Sequence, residues 1–296
     1  MAHEAGAAVR ERSAAKKWAR RAGVGLLALL LVFVAACGLV YVVQDRFFFY
    51  DVKDDQSRLF LQGRPGYTQV EFTAGNGKTY HGMRYQSKAG KAPLVVYFGG
   101  NGQVSYKAMR NLDEQDRWKY FDGYSYLFID YEGYGLNAGE PSYLNMYEEA
   151  LAVYDYAAGL PDVDTKHIVS MGYSIGTGPA VYLAANRPVT GLVLAAPYAN
   201  GDDLYNNALP VFVGPMKLLE KQKLPSDEYA PKVTAPVLVF ASRGDQVVPF
   251  SSSKRLSTLF PGETEFVSLS TESHGQILND ETLEKVHSFL KKLASD

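Results

Sequence analysis

The sequence predicts an α/β fold, a mostly parallel sheet with helices on both faces, behind an N-terminal transmembrane helix. Three observations predict it. Short apolar runs alternate with amphipathic stretches from residue 94 onward, a G-x-S-x-G motif falls between one such run and a helix, and the 22 residues Ala22 to Val43 carry no charge. The 296 residues, 47% hydrophobic and 21% charged, describe a globular protein with enough chain for one sizeable core. Cys37 is the only cysteine, which excludes an internal disulfide framework and a Cys-based zinc site. The net charge of −2 leaves no basic face for nucleic acid.

The charge is unevenly spread. Arg10, Arg12, Lys16, Lys17, Arg20 and Arg21 face only Glu4 and Glu11 in residues 1–21. The uncharged run that follows makes a helix of ~33 Å, enough for a ~30 Å hydrocarbon core. A positive amino side favours a cytoplasmic N-terminus, with the body on the far, extracytoplasmic side, periplasmic in a bacterium. Arg46, Phe47, Phe48, Phe49 and Tyr50 then read as an interfacial anchor. A second reading takes Val34-Ala35-Ala36-Cys37 as a lipobox-like stretch, with the chain anchored as a lipoprotein at Cys37. The apolar run continues to Val43, however, where a mature lipoprotein would begin with a polar tether.

From Tyr67 onward no linker, repeat or low-complexity tract interrupts the chain, which reads as one domain. Gln69–Thr73 and Thr79–Gln86 form a hairpin about Gly75-Asn76-Gly77. The runs Leu94–Phe98, Tyr126–Ile129, Ile168–Met171, Leu192–Ala195, Val237–Phe240 and Glu265–Leu269 are short, rich in β-branched or aromatic residues, and bounded by Gly, Pro or Asp. They read as buried strands. Leu144–Ala158, Gly178–Ala185, Ser253–Phe260 and Leu283–Leu293 read as helices between and after them. The alternation implies right-handed crossovers, with the hairpin as an antiparallel edge and the chemistry beyond the carboxyl ends of the strands.

Gly172-Tyr173-Ser174-Ile175-Gly176 stands where a strand turns sharply into a helix. Glycines two residues either side of Ser174 let neighbouring backbone pass close, and the helix start turns N–H groups toward its oxygen. A nucleophilic serine needs a base and an acid to orient that base. Among five histidines only His274 lies in a loop after a strand and ahead of the closing helix; His3, His81, His167 and His287 read as structural or solvated. Asp245 follows a strand through Ser242-Arg243-Gly244 at the same sheet end, and Asp202 and Asp203 are its fallbacks. Two backbone N–H groups would hold a tetrahedral oxyanion, from Ile175 and from Asn101 in the loop Phe98-Gly99-Gly100-Asn101-Gly102. That loop lacks the G-x-G-x-x-G spacing of a dinucleotide site. No HExxH, acidic cluster or P-loop calls for a metal or nucleotide, so no cofactor is expected.

With these residues in place the chain resembles the α/β-hydrolase fold family over residues 67–296. Tyr97-Phe98-Gly99-Gly100-Asn101 is similar to a strand followed by His-Gly-Asn. Asp130-Tyr131-Glu132-Gly133-Tyr134-Gly135 with Gly139-Glu140-Pro141-Ser142 is similar to D-Y-R-G-Y-G…G-E-P-S, and Gly244-Asp245-Gln246-Val247-Val248-Pro249 resembles an acid loop. The branch these motifs resemble includes membrane-anchored serine hydrolases, among them lysophospholipase-like and depalmitoylase-like members. Gly99 departs from its usual His and Glu132 from its usual Arg. Charge and the uncharged run give residues 1–21 as a basic cytoplasmic tail, 22–43 as a signal-anchor helix and 44–66 as a juxtamembrane segment, and the resemblance implies 67–296 as an α/β-hydrolase catalytic domain.

The expected activity is hydrolysis of carboxylic esters or thioesters, lipophilic ones favoured by the anchor, through an acyl-enzyme. A serine peptidase or amidase and a catalytically silent scaffold are the alternatives. About 40 residues separate Ala196 from Pro236, too few for a large lid. Within them Leu209-Pro210-Val211-Phe212-Val213 with Met216, Leu218 and Leu219 could line an acyl groove or belong to the core.

Overall fold

The computed structural model describes residues 2–47, 49–50, 54–86, 88, 90–208 and 212–295. These divide into two units, Met1–Gln44 and Asp45–Asp296. The first is one helix, α1 (Ala2–Val43), continued by a 3-10 turn from Gln44. Its stretch Lys16–Val43 is, among the described residues, the one helix long and apolar enough to cross a membrane. Leu26, Leu29, Val32 and Val42 stand exposed along it. The helix runs through Cys37 without a break. Phe48, in the expected interfacial anchor, lies outside the described residues.

The second unit opens with α2 (Asp55–Leu61), where the sequence reading has only a juxtamembrane segment. Its apolar content is confined to Leu59, Phe60 and Leu61, too short a signal to show periodicity. Asp54 caps it by accepting the Ser57 N–H, and Leu61 is buried. Next come β1 (Tyr67–Thr73) and β2 (Thr79–Tyr85), the expected hairpin, with Gly77 at φ +80° in its turn.

The chain then alternates through β3 (Ala92–Phe98), α3 (Ser105–Glu114), β4 (Ser125–Ile129), α4 (Tyr143–Ala158), β5 (Val163–Tyr173), α5 (Thr177–Asn186), β6 (Gly191–Ala195), α6 (Gly201–Ala208), α7 (Ser226–Tyr229), β7 (Val237–Ser242), α8 (Phe250–Ser257), β8 (Thr264–Leu269) and α9 (Asp280–Leu293). The sheet order is β1-β2-β4-β3-β5-β6-β7-β8. β2 is antiparallel to both neighbours and the rest are parallel, as the alternation predicts.

Side chains alternate across β5 and assign the two layers. Ser170 donates to the Ala180 carbonyl of α5, and Gly172 lies against Ala180, so even positions face α5. Met171 and its neighbour Tyr97 face the other way, toward α3 and α9. Leu94, Val169, Leu192, Val239 and Phe240 are fully buried, each worth ~1.5–3 kcal/mol. That core fixes the carboxyl ends of β3, β5, β7 and β8 relative to one another.

α8 begins three residues before its expected start. Ser252 and Ser253 are buried within the helix and donate to Asp203 and to the Pro197 carbonyl. The segment between β6 and β7 folds into short helices rather than a separate lid domain. Its residues 209–211, part of the candidate acyl groove, lie outside the described residues. Phe212 is buried and Leu218 is 86% exposed, so this stretch divides between core and surface.

Beside the sheet a group of acids is taken out of water. Glu132, standing where the resembled motif has Arg, pairs with Lys78 at 2.7 Å and accepts from Asn145. Behind it Glu149 is 1% exposed, and among the described residues neither carboxyl oxygen has a partner within hydrogen-bonding geometry. Burial, with Asp130 and Glu132 nearby, pushes its pKa well above the usual carboxylate range, and Lys78 opposes this only weakly. Burial likewise raises Asp130 to about 7. A carboxyl with a raised folded-state pKa keeps its proton where the unfolded chain has lost it. Stability from Glu149 is therefore full below pH ~4.5 and declines as pH rises toward the folded value. Glu149→Gln removes the ionisation. Thermal scans should show the variant gaining on the native chain from pH 5 to pH 8; a difference independent of pH would contradict the argument.

Candidate active site

Tyr173 ends β5 in extended backbone, and Ser174 turns to φ +55°, in the left-handed region that non-glycine residues avoid. Local packing enforces the turn. A Cβ on Gly172 would stand 2.4 Å from the Gly176 carbonyl oxygen, and one on Gly176 would stand 2.2 Å from that of Phe98. Both flanking glycines thus have the steric reason the motif implies. The strain of a left-handed serine costs of order 1–3 kcal/mol and persists because the surrounding sheet holds it.

Ser174, His274 and Asp245 meet at the carboxyl edge. His274 Nε2 lies 2.9 Å from Ser174 Oγ, and its Nδ1 lies 2.8 Å from Asp245 Oδ2. The other carboxylate oxygen of Asp245 accepts the N–H groups of Val247 at 2.7 Å and Val248 at 3.0 Å. Those two bonds anchor the carboxylate from the side away from the imidazole contact. Asp245 and Ser174 are each 8% exposed, which shelters the line of hydrogen bonds from water. The fallback acids are elsewhere: Asp202 pairs with Lys217, and Asp203 bonds Ser252 and Arg255.

The remaining described histidine side chains are structural. His81 bonds Asn137, His167 bonds Asp164, and His287 Nδ1 lies 3.0 Å from the Tyr120 carbonyl. His3 is in the first turns of α1, where side chains are not described.

The glycine loop after β3 closes on the serine. A Cβ on Gly100 would come within 3.4 Å of Ser174 Cβ, so the loop backbone passes directly beside Ser174. Gln103, which sequence reasoning missed, shapes this loop: its Oε1 accepts the Gly100 N–H at 2.8 Å and the Tyr97 hydroxyl at 3.0 Å. Asn101 Oδ1 accepts from the Tyr50 N–H and the Tyr134 hydroxyl. Its side chain is thereby spent on structure, which leaves the backbone to do any donating. Among the described residues neither the Asn101 N–H nor the Ile175 N–H has an acceptor. Gly99 replaces the usual His because a Cβ there would meet Phe128 at 2.4 Å; the phenyl ring fills the space.

Tyr173 is the other residue no sequence signal marked. Its hydroxyl donates to the His274 carbonyl at 2.9 Å, and its ring stacks on the imidazole at 5.2 Å. Ser273 and Gln276 add a capping box around the same turn. The histidine loop is therefore tied from both sides. Only an i-plus-one position inside G-x-S-x-G could have pointed to Tyr173, and that position accepts many residues.

Comparison with known proteins agrees with the architecture. No family model matches the chain. An uncharacterized protein of Mycobacterium tuberculosis is 34% identical over 186 residues, covering 60% of this chain and 64% of that protein. The alpha/beta hydrolase domain-containing proteins aho-3 of Caenorhabditis elegans and 17C of Mus musculus are each 30% identical, over 56% and 54% of this chain. The chain spans 64% of the mycobacterial relative's length and about half that of the two animal ones. Among solved structures, the Pyrococcus furiosus esterase Pf2001 superposes with a TM-score of 0.66 at 18% identity, over 83% of this chain and 97% of that one. The alpha/beta hydrolase GrgF of a Penicillium species gives 0.62 at 16% identity, over 78% and 99%. With its sheet order and strand-to-helix serine turn, the chain has the α/β-hydrolase fold.

Proposed function

We propose that this protein is a membrane-tethered serine hydrolase that cleaves carboxylic esters or thioesters through an acyl-enzyme. The observation that carries the reading is the unbroken line Ser174 Oγ, His274 Nε2, His274 Nδ1, Asp245 Oδ2, with gaps of 2.9 and 2.8 Å, on a serine at φ +55°. The esterase and hydrolase names of the structural neighbours and relatives support it.

In this mechanism Ser174 Oγ attacks the acyl carbonyl while His274 Nε2 takes its proton. Asp245 keeps the Nδ1–H tautomer and balances the imidazolium. The Asn101 and Ile175 N–H groups receive the oxyanion, each such donor worth ~3 kcal/mol. The intermediate collapses: the bond to the alcohol or thiol breaks, and His274 returns the proton to the leaving atom. Water, deprotonated by the same histidine, then releases the acid and restores the serine.

A fluorophosphonate probe tests the nucleophile. Labelling of the intact chain and its loss in Ser174→Ala are expected; equal labelling of the variant would overturn the assignment.

The tether bears on substrate and location. Asp45, two residues beyond the apolar run, accepts from Lys221 and Gln222, so the folded body begins almost where that run ends. A body held this near a bilayer meets lipid esters at high local concentration. Lipophilic acyl esters, lysophospholipids or acyl-thioesters among them, are thus the favoured substrates. The basic head favours a cytoplasmic N-terminus, with the body outside. The apolar run that continues past Cys37 to Val43 favours the spanning anchor over the lipoprotein. External protease should digest the body of the membrane-embedded chain and spare its extreme N-terminus. The opposite pattern would reverse the orientation, and a mature chain starting at acylated Cys37 would select the lipoprotein.

A further inference from the structure

A cavity of about 460 Å³ lies under Tyr173, on the sheet face covered by α3 and α9. Its size falls within the range of small-molecule sites. Tyr97, Tyr126 and Met171 form its floor from three adjacent strands, and Phe121 adds an apolar wall. Asn111, Gln115 and Arg117 bring polar groups to it from α3 and the turn beyond. Neither Ser174 nor His274 lines it, so Tyr173 separates it from the reacting groups.

Two polar features in this wall have unused hydrogen-bonding capacity. Tyr126 is 3% exposed, yet its hydroxyl has no hydrogen-bond partner among the described residues. The hydroxyl opens onto the cavity, where a ligand oxygen can take the place of water as its partner. Arg117 donates through Nε to Asp280 at 2.8 Å and through one terminal nitrogen to the Leu278 carbonyl at 3.4 Å, and its other terminal nitrogen has no partner among the described residues. An apolar floor with one buried hydroxyl and a partly used guanidinium suits an alkyl chain ending in a carbonyl or carboxylate oxygen.

We propose that this cavity is a second binding site, distinct from the serine site, for a medium-chain amphiphile of the fatty-acid class. The chain lies over Tyr97, Tyr126 and Met171, and the oxygen end meets Arg117. Gly275 and Gln276, next to His274, are also in the wall, and Tyr173 holds the His274 carbonyl. Occupancy therefore bears on the loop that carries the histidine.

Trp118 reports on the site, since its ring centroid is 5.4 Å from that of Tyr126, and Trp18 is the only other tryptophan. The experiment is a fluorescence titration of the full-length Trp18→Phe chain with decanoate below its micelle concentration. A saturable change is expected. Tyr126→Phe should weaken it about threefold to tenfold, the worth of one neutral hydrogen bond. Ala108→Phe, which intrudes on the cavity from α3, should weaken it at least tenfold. The response should persist after the serine site is blocked with diisopropyl fluorophosphate, and in Ser174→Ala. No saturable change, or equal responses in the native site and both cavity variants, would overturn the proposal. Loss of the response on blocking Ser174 would overturn it too, by assigning the ligand to the serine site. Because Ser174→Ala retains the readout, a failure of the hydrolase reading and a failure of this site are told apart.

Discussion

Replacing His274 with alanine should lower kcat for a p-nitrophenyl ester of short acyl length by roughly 10⁶-fold, with KM little changed. The expectation follows from what the imidazole alone connects. Its Nε2 is 2.9 Å from Ser174 Oγ and its Nδ1 is 2.8 Å from Asp245, so in the proposed mechanism it alone takes the serine proton. The other described histidine side chains bond Asn137, Asp164 and the Tyr120 carbonyl, and none is free to substitute. Ser174→Ala should lose about as much, and the double variant little more, since the two act as a unit. Residual turnover of ~10³–10⁴ over water is expected from the oxyanion donors and binding. The check is steady-state kinetics on the folded single and double variants. Multiplicative losses, or a His274→Ala enzyme within tenfold of native, would remove His274 from the base role.

Both the framework and the three candidate side chains were legible in the sequence for one physical reason. Strands buried on both faces leave short, uniformly apolar runs, and the parallel crossovers bring their carboxyl ends to one edge. Ser174, Asp245 and His274 each follow such a run, so their meeting could be expected from chain order. What stayed hidden depends on contacts across the chain. α3 gives little sequence signal because only Ser105, Tyr106 and Met109 are buried in it. The polar start of β5, Val163 to His167, reads as loop, yet Val163 pairs with Ala92. Gln103 acts through bonds from the nearby Gly100 N–H and the Tyr97 hydroxyl, and Tyr173 through one bond to the distant His274 carbonyl; no spacing rule marks such bonds. The replacement of the usual His by Gly99 was visible as a departure, but its cause, the Phe128 ring, is a contact between strands.

Asp245→Asn separates orientation from charge in the acid role. The amide can keep the shape of the loop: its oxygen can still accept the Val247 and Val248 N–H groups that the Oδ1 carboxylate oxygen accepts. The NH₂ group then faces His274 Nδ1, where a donor is wrong. The imidazole responds by placing its proton on Nε2, so the nitrogen facing Ser174 Oγ becomes a donor and loses the ability to take the serine proton. A loss of ~10⁴-fold in kcat at neutral pH is expected, with the fold intact. Asp245→Ala tests the same bond differently. It removes the acceptor of two N–H groups, one of them on buried Val248, and should lower stability by ~1–3 kcal/mol as well as activity. Kinetics paired with denaturant melts reads both effects. An Asn variant with native turnover would move the acid role away from Asp245. An Asn variant that loses activity only in proportion to its stability would show that Asp245 holds the loop rather than the imidazole.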